Sequence, residues 1–312
     1  MPPMLLRFSF VFFITVCLLT PAHANDAVKV VASIPPIHSL VAGVMQGATQ
    51  PELLLRGSSS PHHYNLKPSQ MRALHEARVV FWVGEELESF LKKPLASLGP
   101  DTKIVSLIQA PGLTLLPSRS GGAWEHHAEH GGGHHKGDID NHIWLSPGNA
   151  KAMVETVLNV LSQMDPQNAA LYEKNAHHLK LRLARLDKAL NSQLNPARDA
   201  PYIVFHDAYQ YFERHFKLNG VGSVTVDPER KPGARRLHNI REKIESLHAK
   251  CVFGEPQFSN AYLRIITEDT DVREGALDPL GADLPAGPDQ YFTLMRGLAD
   301  SLTDCLLGSN SE

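Results

Sequence analysis

Cysteine is scarce in this chain. Three occur in 312 residues, and Cys17 lies in an N-terminal segment that reads as a leader. Two remaining thiols cannot build a four-cysteine metal site or a dense disulfide scaffold. In an oxidising compartment, Cys251 and Cys305 most simply pair with each other. The competing reading is a Cys/His metal site, but each cysteine stands without a nearby ligand partner. A bridge would close a 54-residue separation and contribute roughly 3–4 kcal/mol in the chain-entropy picture. Basic excess is also absent: beyond the leader, 29 Lys and Arg face 33 Asp and Glu. That balance excludes a general nucleic-acid-binding surface. Beyond the leader no apolar run approaches the about 20 residues a membrane helix needs. No His-Glu-x-x-His segment occurs, so the commonest zinc-peptidase signature is missing.

Residues 1–24 read as a secretory signal. Arg7 supplies the positive charge, Phe8 to Leu19 is apolar apart from Ser9 and Thr15, and Ala22-His23-Ala24 fits a cleavage site. Val16 before Cys17 argues against a lipid anchor. The remaining 288 residues suffice for one large or two modest domains.

Continuous apolar runs at Val28–Ile34, Val79–Val83 and Lys103–Leu107 read as buried strands. Helical segments at His38–Met45 and Glu85–Leu98 alternate with them. Residues 118–139 break the pattern with Gly, His and acidic residues, and read as a loop that cannot bury enough surface to order itself. A long helix is expected after Asp165 and Pro166. Tyr172, Ala176, Leu179, Leu183, Leu186, Leu190 and Leu194 recur at steps of three and four, giving one apolar stripe that ends before Pro196. The alternation then resumes with strands at Tyr202–Phe205, Val221–Val226, Cys251–Phe253 and Val272–Ala276. Helices are expected at Ala208–Phe216, Arg235–Leu247, Asn260–Glu268 and Gln290–Leu306. The pattern predicts an α/β fold of two lobes, each a mainly parallel sheet flanked by helices, joined by a long rigid backbone helix. Its expected divisions are a signal peptide at 1–24, an N-terminal metal-binding lobe at 25–164, a linking helix at 165–195 and a C-terminal metal-binding lobe at 196–312. No internal sequence repeat is visible.

What the chain has in quantity is histidine, 17 residues in all. Neutral imidazole is a common ligand for zinc and copper. His206 ends a predicted strand, where open parallel sheets bind their ligands. His63 lies in a Pro-flanked loop, and His142 precedes an apolar segment. An ion bound by all three would sit between the lobes. A fourth donor could come from Asp278, from His62 or from water, and Asp278 reads equally well as a turn residue before proline. Glu255 could orient a ligating imidazole. The glycine-rich insert, residues 121–137, adds His126, His127, His130, His134 and His135. They form a weak secondary metal site or a solvated linker. An imidazole-rich tetrahedral site suits zinc better than manganese, which prefers oxygen donors and octahedral geometry.

Several segments together resemble the ZnuA-type family of periplasmic zinc-binding proteins, part of the metal-specific cluster of solute-binding proteins of ABC importers. They are Ser33-Ile34-Pro35-Pro36, the His63 loop with Lys67-Pro68-Ser69, the His-rich insert, and His142-Ile143-Trp144-Leu145-Ser146-Pro147. His206-Asp207-Ala208-Tyr209, Cys251-Val252-Phe253 with Glu255-Pro256-Gln257-Phe258, and Asp278-Pro279-Leu280-Gly281 complete the set. The resemblance covers nearly the whole mature chain. It implies zinc held by His63, His142 and His206, a Cys251–Cys305 disulfide, and a rigid helix between two lobes. It also implies a periplasmic monomer that captures Zn2+ without catalysis and passes it to a membrane permease with its cytoplasmic ATPase. The family often carries a glutamate just before the first histidine, where this chain has His62, which leaves the fourth ligand open. Two other readings are a zinc-dependent hydrolase, with Glu255 as a weak candidate base, and a metal-binding adhesin.

Overall fold

The computed structural model describes residues 28–119, 124, 139–225, 232–259 and 261–308. The leader at 1–24 and the insert histidines His126, His127, His130, His134 and His135 lie outside the described residues.

Two four-stranded parallel sheets organise the chain. The first has the order β2-β1-β3-β4, from Glu52–Leu53, Val30–Ala32, Val79–Trp82 and Lys103–Ser106. Its two central strands, Val-Val-Ala and Val-Val-Phe-Trp, are buried along their whole length. That is why they read as unbroken apolar runs rather than alternating ones. The second sheet has the order β6-β5-β7-β8, from Gly220–Thr225, Tyr202–His206, Cys251–Gly254 and Arg273–Ala276. The two orders are the same when counted from each sheet's own first strand. In both, that strand lies between neighbours reached by connections running opposite ways, which opens a crevice at its carboxyl end.

Prolines open several helices. Pro35 and Pro36 do not merely end β1; they start α1, Pro35–Val44, at positions where a missing N–H costs nothing. Pro68 and Pro147 do the same for α2, Pro68–Glu76, and α4, Pro147–Met164. The Ser146 hydroxyl caps α4 by accepting from the Asn149 N–H. The helix expected over Glu85–Leu98 is shorter, a 3-10 turn at Ser89–Leu91 followed by α3, Lys92–Ala96. The chain turns before it because the buried Glu88 carboxylate accepts from the backbone N–H groups of Val83 and Gly84.

The long helix α5 spans Ala169–Leu194, with 3-10 turns at Pro166–Asn168 and Asn195–Ala197. Its 26 residues reach about 39 Å. The predicted stripe from Tyr172 to Leu194 is its buried face. Asp165 ends α4 and anchors the turn, accepting from the Tyr172 hydroxyl and the Asn168 amide. α5 packs on α4, on α1 and on α9, Gln290–Leu307. At the α1 crossing a side chain on Gly43 would come within 2.9 Å of Leu179, so the two backbones approach closely. The remaining helices are α6, Gln210–Phe216, α7, Ala234–Ser246, and α8, Ala261–Thr267.

The two sheets share one apolar core. It runs from Val30 and Phe81 in the first lobe through Trp144 and Leu183 to Tyr202, Phe253 and Tyr291 in the second. Buried hydrogen bonds cross it: Trp144 Nε1 donates to the Pro279 carbonyl, and the Tyr291 hydroxyl donates to the Trp144 carbonyl. A smaller cluster, with Ile203, Val252 and Ile240, lies under α7 and α8. Cys251 and Cys305 are joined, tying β7 to α9. No described helix is long and apolar enough to cross a membrane.

Candidate metal centre

His206 is the last residue of β5, the first strand of the second sheet. It therefore points into the crevice that the strand order creates. The adjacent strand β7 ends at Gly254, and the next residue, Glu255, faces it. Glu255 Oε1 lies 2.6 Å from His206 Nδ1 and 3.4 Å from its backbone nitrogen. Both residues are buried, at 3% exposure each. His142 has a matching support. Asp140 Oδ1 is 2.8 Å from His142 Nδ1 and accepts from the His142 backbone N–H at 3.0 Å. In each pair the carboxylate accepts from the Nδ1–H, which turns Nε2 and its lone pair toward the crevice, the arrangement that orients metal-ligating histidines. The two free nitrogens are 3.4 Å apart. Two nitrogens bound tetrahedrally to one zinc are about 3.4 Å apart, given Zn–N bonds near 2.05 Å.

The third imidazole is His62. Its ring centroid is 5.5 Å from that of His142 and 5.6 Å from that of His206, which are themselves 5.3 Å apart. One ligand nitrogen from each of His62, His142 and His206 falls within 4.8 Å of the others. The expectation placed His63 in this group, and the structure places its neighbour there instead. Burial alternates residue by residue over residues 62–67, which begin in a bend at His62 and His63. His62, Tyr64 and Leu66 turn inward, while His63, Asn65 and Lys67 turn out. The signal was in the sequence: Tyr64 and Leu66 are apolar at even spacing from His62, not from His63. His63, along with His62 and Tyr64, also borders a surface pocket with Ser89, Phe90, Lys92 and Lys93.

Asp278 does not join the three imidazoles. Its Oδ1 accepts from Gln257 Nε2 and from the N–H groups of Leu280 and Gly281, and its Oδ2 from that of Ala282. It is the turn residue of the two alternatives, and it holds Pro279 and Leu280 in the wall of the site. With His62 as the first histidine, the residue before it is Pro61, which has no side-chain donor atom to offer. No fourth protein ligand joins the group among the described residues.

The surround is largely apolar. Trp144, Phe258, Pro61, Pro279 and Leu280 line the pocket with the histidines. Trp144 lies 5.3 Å from the His142 ring and Phe258 6.0 Å from the His206 ring. Burial alone would lower the His206 pKa. The Glu255 carboxylate, with Asp207 and Asp140 farther away, outweighs it and holds that pKa above the ordinary value of 6.5. Sequence reasoning missed Asp140, although an acidic residue two positions before a candidate ligand can reach back to its ring.

Two parallel-sheet lobes closing on a shared imidazole cluster define the class: a metal-specific solute-binding protein. The chain belongs to the ZnuA family, zinc-uptake complex component A, periplasmic, whose model matches residues 30–305. It is 44% identical over 311 residues to the high-affinity zinc uptake system protein ZnuA of Brucella abortus (strain 2308), covering 91% of this chain and 93% of that one. The Yersinia pestis protein of the same name is 38% identical over 289 residues, covering 89% and 91%. A crystal structure of ZnuA superposes with a TM-score of 0.76 at 27% identity, covering 90% of this chain and all of that one. A ZnuA deletion mutant with zinc bound gives 0.75 at 26% identity, covering 90% and 98%.

Proposed function

We propose that this protein is the periplasmic zinc-binding component of an ABC importer. It captures Zn2+ between its lobes and delivers it to a membrane permease coupled to a cytoplasmic ATPase. The observation that carries this reading is the convergence of three imidazoles from three separate segments, two of them on buried carboxylates, with the Nε2 atoms of His142 and His206 at zinc spacing. His62, His142 and His206 are the ligands, and an exchangeable donor such as water fills the fourth position. All-nitrogen protein ligation favours zinc over manganese. The leader at 1–24 is removed on export, and the mature chain acts as a monomer.

The protein binds without catalysing. A zinc hydrolase needs a base free to take a proton from bound water. Glu255, the candidate nearest the cluster, is committed to His206 Nδ1, and Asp140 to His142 Nδ1. Calorimetric titration of the metal-free mature protein should show one tight zinc equivalent, and a deletion strain should fail to grow under zinc chelation. A wild-type growth curve in that strain would overturn the transport role. Ester, peptide or lactam hydrolysis by the zinc form would overturn the binding-only role.

A further inference from the structure

A buried charge cluster lies beside the metal centre and joins the two lobes. Arg119 comes from the first half of the chain, and Asp207 and Glu213 from the second. The Arg119 Nε donates to Asp207 Oδ1 at 2.9 Å and to Oδ2 at 3.0 Å, and Nη2 also donates to Oδ1. Its Nη1 reaches Glu213 Oε2 at 2.5 Å. The three side chains are 18%, 12% and 5% exposed. Burial alone would weaken the guanidinium's hold on its proton, but Glu213 and Asp207 more than restore it. Glu213 is itself wedged: a side chain on Gly220 would overlap its carboxylate, at 2.1 Å from Oε1. The Trp124 ring covers the guanidinium, 3.5 Å from Cζ.

Each end of this clamp leads to a ligand. Asp207 directly follows His206. On the other side, the segment before Arg119 meets the one that carries Asp140 in a single β-bridge. Pro117 bridges Ile139, and the Asp140 N–H donates to the Leu116 carbonyl. The Tyr211 hydroxyl reinforces the junction, accepting from the Leu116 N–H and donating to the Asp140 carbonyl. Asp140 in turn fixes the His142 ring. Arg119 thus pulls together the segments carrying the two buried imidazoles, through contacts that touch neither ring.

We propose that Arg119 is a positioning residue that sets the spacing of His142 and His206 and so the preference of the site for a small tetrahedral ion. This inference rests on the zinc reading of the three-histidine site. A guanidinium holds two carboxylates at once because its donors form a rigid fork; an ammonium supplies the same charge without that geometry. Arg119→Lys therefore separates positioning from charge.

The test uses the full mature chain, titrated with zinc, manganese and cobalt(II), with the visible spectrum of bound cobalt as a report of coordination geometry. Wild type should show the strong absorption of tetrahedral cobalt. Arg119→Lys should weaken that absorption, lower zinc affinity about 10-fold, at the low end for residues beyond the ligands, and narrow the zinc-to-manganese preference. Asp207→Asn, which loosens the clamp from the other side, should do the same. Wild-type cobalt spectra and metal preference in both variants would overturn the inference, even if the metal-free proteins melted earlier. That result would mark Arg119 as structural only. His206→Ala serves as the reference. If it kept the wild-type cobalt band, the three-imidazole reading itself would fall; if it lost the band while Arg119→Lys kept it, only the positioning role would.

Discussion

The three imidazoles are held by two unlike supports. His142 and His206 are buried, and each is fixed at Nδ1 by a carboxylate from its own lobe. His62 is half-buried and rides on the loop between β2 and α2. Two of the proposed ligands are thus built into the frame, and the third arrives from a rim. The difference teaches where the site is pre-organised and where it adapts. In the proposed site the buried pair sets geometry, and His62 completes the shell.

If that division holds, removing a framed ligand does the greatest damage. His206→Ala or His142→Ala should cost more than the 10–100-fold typical of outer partners, because each also strands a buried carboxylate. His62→Ala should weaken zinc binding substantially but less, leaving a measurable two-imidazole site in calorimetry. Equal losses in all three would erase the distinction between frame and rim. Glu255→Gln should come next, costing about 10–100-fold in zinc affinity with the fold intact; an unchanged affinity would mean that His206 needs no support.

The same variant sharpens the comparison through pH. Burial opposes a charged His206, yet Glu255 wins and holds its pKa above 6.5 in the metal-free protein. Zinc must displace that proton, so affinity falls as pH drops through the raised value, starting higher than for an ordinary imidazole. In Glu255→Gln the onset should move to lower pH, which zinc titrations across pH 5–8, the range in which His changes charge, would detect. The metal-free fold follows the opposite sign. The raised pKa stabilises it below about pH 6.5, and that contribution fades as pH rises through the folded value. The smallest effect belongs to His63→Ala, which should leave zinc affinity within about 2-fold, since surface substitutions stay near ±0.5 kcal/mol.

Much of this frame was legible in the residues. The apolar runs of β1, β3, β5 and β7 could only be strands buried on both faces, and the Tyr172–Leu194 stripe could only be one helix. His206 at a strand end pointed to the crevice. α4 escaped notice despite Ser146, Pro147 and the spacing of Ala150, Met153, Val154, Val157 and Leu161, because the stronger signal of α5 lay just beyond it. The choice between His62 and His63 was missed because the two adjacent residues differ in burial, and chemistry alone cannot rank two imidazoles. Parity with Tyr64 and Leu66 would have settled which one faces in. Asp140, two residues before His142, carried a local signal that was overlooked; Arg119 meets Asp207 and Glu213 from 88 and 94 residues away, so that pairing needed three-dimensional distances.

The single core through both sheets limits how this molecule can surrender its cargo. Trp144 and Tyr291 are fully buried in it and bonded to each other. Prising the halves apart like a jaw would wet both rings. At about 200 Å2 each and about 25 cal/mol per Å2, that exposure alone costs about 10 kcal/mol, comparable to the whole stability of a typical domain. Handover to a partner must therefore proceed by ångström-scale displacements at the mouth of the crevice, with the body of the protein acting as a rigid handle.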